Sequence, residues 1–287
     1  MGAGKAITKT KSALLIIAAI TAIIFVISAV WVIVNLDNRN VQYEAITIVY
    51  CNEKGERVRI VHLSDLHIGS LAVDTEQMIS AIEDRVPDII VITGDLIGSR
   101  QTVDSGQIMT FAGSLTAIAP VFFVAGNHEV NNIDRQLLEY NLTVGGIEVL
   151  NNRSVQTKIR GVSIIIAGIC YSNNGRITVQ QDISQVKQSY VIALNHRPTF
   201  GIDALSADGL SFCPDLILAG HIHGGQIRIF GRGLLCPDRL LLPTYSAGLY
   251  RGRNNTAKMI VSRGLGNSLV PFRINNRPHV PIVDIMF

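Results

Sequence analysis

Six short apolar runs recur along this chain, at 58–63, 88–93, 121–125, 163–168, 190–194 and 216–219, and five of them end on a cluster containing Asp, Asn or His. Runs of this length, bounded by glycine and polar residues, read as buried strands. Between them, 75–85 (before Val86-Pro87) and 107–118 (before Ala119-Pro120) read as helices stopped by proline. Strand and helix alternate in the first half and strands dominate the second. That pattern predicts a layered α/β domain with sheets at its centre and helices outside.

Polar residues at the carboxyl ends of strands are where α/β sheets place their sites. The five clusters are Ser64-Asp65-Leu66-His67, Gly94-Asp95, Gly126-Asn127-His128-Glu129, Asn195-His196 and Gly220-His221-Ile222-His223-Gly224-Gly225. Each has a plain reading by itself. Asp65 could cap a helix, Gly94-Asp95 is ordinary turn chemistry, Asn127 accepts a left-handed loop conformation, and one histidine at a strand end needs no function. The pair His221 and His223 says more, because alternate residues of an extended segment can face neighbouring metals. Five of the chain's seven histidines fall in these clusters, and structural histidines have no reason to do so. Carboxylate, imidazole and amide oxygen together suit Mn, Fe or Zn better than an all-oxygen Mg or Ca cage.

In their order, these blocks resemble the signature of the calcineurin-like metallophosphoesterase family, over about 58–225. Ser262-Arg263-Gly264-Leu265-Gly266 and Asn275-Asn276-Arg277-Pro278 resemble the tail of a bacterial branch that includes membrane-associated phosphoesterases and UDP-2,3-diacylglucosamine pyrophosphohydrolases. The resemblance implies a four-layer α/β/β/α sandwich and a two-metal centre, with Mn the favoured ion. Matched motif by motif, Asp65, His67 and His223 would hold one metal, Asn127, His196 and His221 the other, and Asp95 would bridge them. A hydroxide between the metals would attack phosphorus, with His128 as the acid beside the leaving group and Glu129 orienting a histidine. The implied activity is hydrolysis of phosphate mono- or diesters or pyrophosphates. A UDP-2,3-diacylglucosamine pyrophosphohydrolase of lipid A biosynthesis is the alternative, and a non-catalytic binding module on the same scaffold is a third reading. Where the family often carries a further Asp after Gly-Asp-Leu-x, this chain has Gly98.

From Ala13 to Val34 there is no charge, proline or glycine, and at about 1.5 Å per residue that run spans roughly 30 Å of hydrocarbon. It predicts an uncleaved transmembrane anchor at 13–34, after a cytoplasmic N-terminus at 1–12, with a linker at 35–54 and a catalytic domain at 55–287. Lys5, Lys9 and Lys11 precede the run while Asp37 and Arg39 cancel after it, so the positive-inside bias sends the catalytic domain out of the cytoplasm from a single-pass cell-membrane anchor. A cytoplasmic lipid-precursor enzyme would face the other way. The net charge of +3 over 287 residues, with no basic aromatic face, sets nucleic acid aside, leaving a phosphate-bearing small molecule or lipid and the membrane as expected partners. Cys51, Cys170, Cys213 and Cys236 form no C-x-x-C pair, which excludes a zinc knuckle or thioredoxin-type motif. Finally, 233–242 mixes leucines with Arg239, just after Arg232. It reads either as two buried strands around a Pro-Asp turn or as a lip that touches lipid.

Overall fold

The computed structural model describes residues 2–34, 39–51, 55–69, 73–171, 188–198, 214–237, 241–252, 257–268 and 270–287. The chain divides into two compact units, Met1–Leu36 and Asp37–Phe287.

The first unit holds α1 (Gly2–Val34), 33 residues long. Its described side chains, Leu14 and those of 16–32, include the exposed Ile16, Ile20, Ile24, Phe25 and Ile27. Among the described residues no helix is long and apolar enough to cross a membrane. The structure thus does not establish the anchor expected at 13–34.

The second unit is built on two six-stranded sheets. Its elements in chain order are β1 (Gln42–Val49), β2 (Arg57–Leu63), α2 (Thr75–Glu83), β3 (Ile89–Ile92), α3 (Ser105–Thr116), β4 (Val121–Phe123), α4 (Asn127–Val130), α5 (Arg135–Val144), β5 (Glu148–Val149), β6 (Ser154–Ile159), β7 (Val162–Ile169), β8 (Tyr190–Asn195), β9 (Leu216–Ala219), β10 (Arg228–Ile229), β11 (Arg232–Gly233), β12 (Gly248–Arg251), β13 (Lys258–Val261) and β14 (His279–Met286). The first sheet runs β1-β14-β2-β3-β4-β5 and the second β12-β13-β9-β8-β7-β6, while β10 and β11 form a separate hairpin. Within the first sheet β2 to β5 are mutually parallel; within the second, β7, β8, β9 and β13 are.

All six apolar runs form strands, and the reason is visible in their burial. Every residue of β3, β4, β8 and β9 is buried, as a strand covered on both faces requires. Ile60, Val91 and Phe122 of the first sheet meet Ile166, Ile192 and Leu218 of the second in the core between the sheets. The outer face of the first sheet, with Val61, Ile90 and Phe123, packs on Met78 and Ile82 of α2, Phe111 and Leu115 of α3, and Leu138 and Leu142 of α5. Both predicted helices begin on an aspartate cap: Asp74 Oδ1 accepts from Gln77 N and Asp104 Oδ1 from Gln107 N, each at 3.1 Å. The described layers are therefore helices, sheet and sheet. Ala167, Ala193, Ile217 and Met259 form an apolar outer face on the second sheet. No helix among the described residues covers that face, and the β7–β8 and β8–β9 connections at 172–187 and 199–213 lie outside them.

Among the elements that carried no clear sequence signal are β1, β5 and α5. Half-exposed β1 is stitched parallel to β14, from the far end of the chain. Short β5 adds an edge beside β4. In α5, 10 residues long, only Leu138, Asn141 and Leu142 are buried. The two-strand reading of 233–242 is not upheld among the described residues, where only Gly233 of that stretch is in a strand and Leu241 is 66% exposed. Residues 238–240, including Arg239, lie outside the described residues. Cys170 and Cys236 are buried and Cys51 half-buried, with no bridge among the three, while Cys213 falls outside the described residues.

Candidate metal centre

Ser64, His196 and Gly220 directly follow β2, β8 and β9, while Gly94 and Asn127 stand a few residues past β3 and β4, so the five clusters arrive at the same ends of the two sheets. Beyond β2 and β3 the backbones keep pairing: Asp65 N donates to Gly94 O at 3.0 Å and His67 N to Asp95 O at 3.1 Å. Asp65, His67, Asp95, His221 and His223 all have φ between +49° and +72°, five of the twelve non-glycine residues with positive φ among those described. An L-residue held left-handed costs of order 1–3 kcal/mol, and such strain persists only where surrounding contacts over-determine it. Here they turn side chains off the sheet edges toward one place. Close approach also dictates two glycines: a Cβ on Gly126 would lie 2.3 Å from Asp95 Oδ1, and one on Gly220 would lie 1.7 Å from Ser64 Oγ.

Ligand atoms of Asp65, His67 and His223 lie within 4.8 Å of one another, as do those of Asp95, His196 and His221, and those of His67, Asp95 and His128. Asp95 thus stands between two imidazole groups. Asn127 joins the second set, its Oδ1 being 3.0 Å from His196 Nε2. All eight sequence candidates, His128 included, are brought together.

The tautomers follow from what holds each ring. His196 Nδ1 donates to Thr93 O at 2.7 Å, leaving Nε2 facing Asn127 Oδ1 at 3.0 Å, His221 Nδ1 at 3.1 Å and Asp95 Oδ2 at 3.2 Å. Acceptor atoms converging on one point call for a cation. Burial opposes a charge on His196, yet the Asp95 carboxylate beside it carries its pKa up to about 10. Burial pushes the Asp95 carboxyl up, and the histidines around it, His196 foremost, outweigh that and hold it well below the usual carboxylate range. His223 Nδ1 donates to Gly266 O at 3.1 Å, so its Nε2 turns toward Asp65 Oδ1 at 3.4 Å, and burial keeps the ring neutral with a pKa near about 3. Asp65 is fixed by Ser64 Oγ at 2.7 Å and by His221 N at 3.0 Å.

His128 sits differently. Its Nδ1 accepts Ser99 N at 3.0 Å, which places the proton on Nε2, 3.8 Å from Asp95 Oδ2, and its side chain is 31% exposed. Its ring meets His67 edge-on at 4.7 Å, and His67 stacks on His223 at 5.4 Å. Glu129 orients no histidine. Its fully buried carboxylate accepts Asp95 N and Gly126 N at 2.8 Å each and Ile97 N at 3.1 Å, so it ties two strand-end loops together through their backbones. Burial and then the Asp95 charge raise its pKa to about 7. Gly98, standing where the family often has Asp, is held through its backbone by Gln101 Oε1 and Asn132 Nδ2.

The support from the C-terminal region was invisible in the sequence. Leu265 N and Gly266 N donate to the carbonyls of Ser64 and Asp65, and a Cβ on Gly264 would lie 2.7 Å from that of Asp65. Buried Arg273 donates to Arg263 O at 2.9 Å and to Gly266 O, the same carbonyl that orients His223. No spacing rule links position 273 to position 223. The only signal was the tail motif itself, which carries no ligand.

The family model described as Calcineurin-like phosphoesterase matches residues 58–225, more than half of the chain and the span of all five blocks. The chain belongs to the calcineurin-like phosphoesterases. Like other members it is a metal-dependent hydrolase of phosphoester bonds. The uncharacterized metallophosphoesterase YkoQ of Bacillus subtilis (strain 168) is 26% identical over 259 residues, covering 86% of this chain and 93% of that protein. An uncharacterized metallophosphoesterase of Aquifex aeolicus (strain VF5) is 30% identical over 245 residues, covering 81% and 86%. A "Transmembrane protein with metallophosphoesterase domain" of Bos taurus is 28% identical over 244 residues, covering 78% of this chain and 52% of its own length.

Proposed function

We propose that this calcineurin-like phosphoesterase is a dinuclear, Mn-favouring phosphomonoesterase or phosphodiesterase, with activity on pyrophosphates, held at the cell membrane by its N-terminal helix. The observation that carries the dinuclear reading is the position of Asp95, whose carboxylate belongs to a His67-containing group and to the His196–His221 group at once. Asp65, His67 and His223 would hold one ion, Asn127, His196 and His221 the other, and Asp95 both. The donors fit, since imidazole lone pairs at His196 and His223 face inward because their Nδ1 protons are committed to backbone carbonyls. Two divalent ions held there would supply a solvent-derived nucleophile near neutral pH and offset charge growing on the phosphoryl oxygens. His128, 31% exposed, carries its Nε2–H 3.8 Å from Asp95 Oδ2, from where it would donate to an oxygen of the bound phosphoester. Glu129 keeps the Asp95 and Gly126 backbones in register, so the Asp95 carboxylate does not drift.

The membrane reading rests on the uncharged run at 13–34, the lysines before it and the apolar exposed residues of α1. Thr21 Oγ1 donates to Ile17 O at 2.9 Å, so its hydroxyl needs no water. The catalytic unit would then lie outside the cytoplasm, which argues against the lipid A precursor as substrate.

Hydrolysis of bis-p-nitrophenyl phosphate by the full chain in detergent, with Mn, with chelator and as Asp95→Asn, tests the reaction. Turnover that needs Mn and disappears in Asp95→Asn is expected. Turnover that survives chelation sinks the two-metal reading. A folded, metal-loaded chain without turnover sends the search to UDP-diacylglucosamine.

A further inference from the structure

The hairpin of β10 and β11 is joined by Phe230 and Gly231, at φ +49° and +77°. Two-residue turns with both φ positive select Asn-Gly or Asp-Gly, because a bulky L-residue is strained there. This chain places phenylalanine at that position and leaves it 100% exposed. Leu242 repeats the anomaly, at φ +55° and 64% exposed. Val86 is the one other apolar side chain at positive φ among the described residues, and it closes α2 by donating to Glu83 O. Neither Phe230 nor Leu242 closes a helix.

These residues share one rim. Leu242 N donates to Leu234 O at 2.8 Å, and Leu242, Arg232 and Tyr250 line a cavity of about 390 Å³ with Gly231. Leu241 is 66% exposed, Ile229 40% and Leu249 37%. Among the described residues of 227–252 the charges are Arg228, Arg232 and Arg251, with no carboxylate; Arg232 and Arg251 are exposed. Arg228 turns inward to Gly224 O and Gly231 O, and Leu234 N and Leu235 N donate to Gly225 O. The rim is therefore fastened to the residues that follow His223.

We infer that this rim docks on an anionic lipid surface, with Phe230, Leu241 and Leu242 entering the headgroup boundary and Arg232 and Arg251 lying among phosphates. Aromatic and leucine side chains ringed by arginine, with no acidic residue among the described residues of the rim to repel a phosphate, are what an anionic interface selects. The contact is made by the catalytic unit itself and brings its metal centre to the lipid surface.

The test uses the full chain, whose single tryptophan is Trp31. A Trp31→Phe/Phe230→Trp chain carries its one indole at the hairpin tip. Reconstituted into vesicles of phosphatidylcholine with brominated phosphatidylglycerol, its emission shifts to the blue and is quenched. The shift is lost with Arg232→Glu/Arg251→Glu, and shrinks as salt rises from about 0.1 to about 1 M and the screening length falls from about 10 to about 3 Å. Trp31→Phe/Leu242→Trp reports the same contact from the other side of the cavity. A water-like emission from both reporters overturns the inference, as does an equal shift on purely neutral vesicles. Turnover of bis-p-nitrophenyl phosphate is read on the same samples, so loss of docking with turnover intact refutes the lipid surface alone and leaves the phosphoesterase reading standing.

Discussion

Glu129 accepts the backbone N–H of Asp95 at 2.8 Å, so the carboxylate standing between the two ligand sets is positioned by a second, buried carboxylate. With Gly126 N and Ile97 N on the same side chain, one residue locks the loop after β3 against the loop after β4. Glu129→Gln keeps the shape but turns a donor toward an N–H. Mn affinity should weaken about 10–100-fold, the usual cost of losing a group that orients metal ligands. Calorimetric titration of the folded variant checks this, and unchanged affinity would detach Glu129 from the centre.

Asp95→Asn is the more severe change. It should reduce metal-dependent turnover at least about 100-fold and lower the metal content per chain, because both ligand sets lose a charged donor at once. Metal content by mass spectrometry beside turnover separates a lost ion from a misplaced one.

His128→Gln tests the acid. A general acid contributes about 10²–10⁴-fold where the leaving group needs a proton. The variant should therefore lose most activity on alkyl phosphodiesters and far less on p-nitrophenyl esters, whose leaving group departs without one. Equal losses on both would mean that His128 holds the phosphoryl group instead.

Acid stability turns on a histidine away from the ligands. His62 is fully buried on β2, 2.8 Å from Thr93 Oγ1, and burial lowers its pKa to about 3. The unfolded chain takes up a proton near pH 6.5 while the folded chain does so only near 3. Stability is therefore whole above pH 6.5 and falls as pH drops toward 3, by up to about 2 kcal/mol between pH 7 and pH 5. Urea unfolding at both pH values should show this decline, and His62→Gln should reduce it by that share, leaving the part that comes from His223 and His279, whose burial lowers their pKa values to about 3 and about 4.

Arg273→Met leaves the carbonyls of Arg263 and Gly266 without their guanidinium donor. A buried acceptor stripped of its partner costs about 1–3 kcal/mol, so the melting temperature should fall. Mn retention should weaken with it, because Gly266 O orients His223. Arg273→Lys, which restores a charge without the planar fork, should recover stability in part.

What the sequence by itself determined was the set of strands and the identity of the site. Periodicity and burial need only neighbours along the chain, so β2, β3, β4, β7, β8 and β9 were legible, and the residues that follow five of them announced the metal centre and the family. What only the tertiary structure decided depends on partners far apart in the chain. The pairing of β1 with β14, the turn of Glu129 onto backbone N–H groups, and the bracing of Asp65 and His223 by Gly264, Gly266 and Arg273 follow from where the sheets come to lie. The strained φ values at five of the ligand positions belong there too. A local sequence can name a ligand, but the contacts that hold it in an unfavourable backbone conformation come from the rest of the fold.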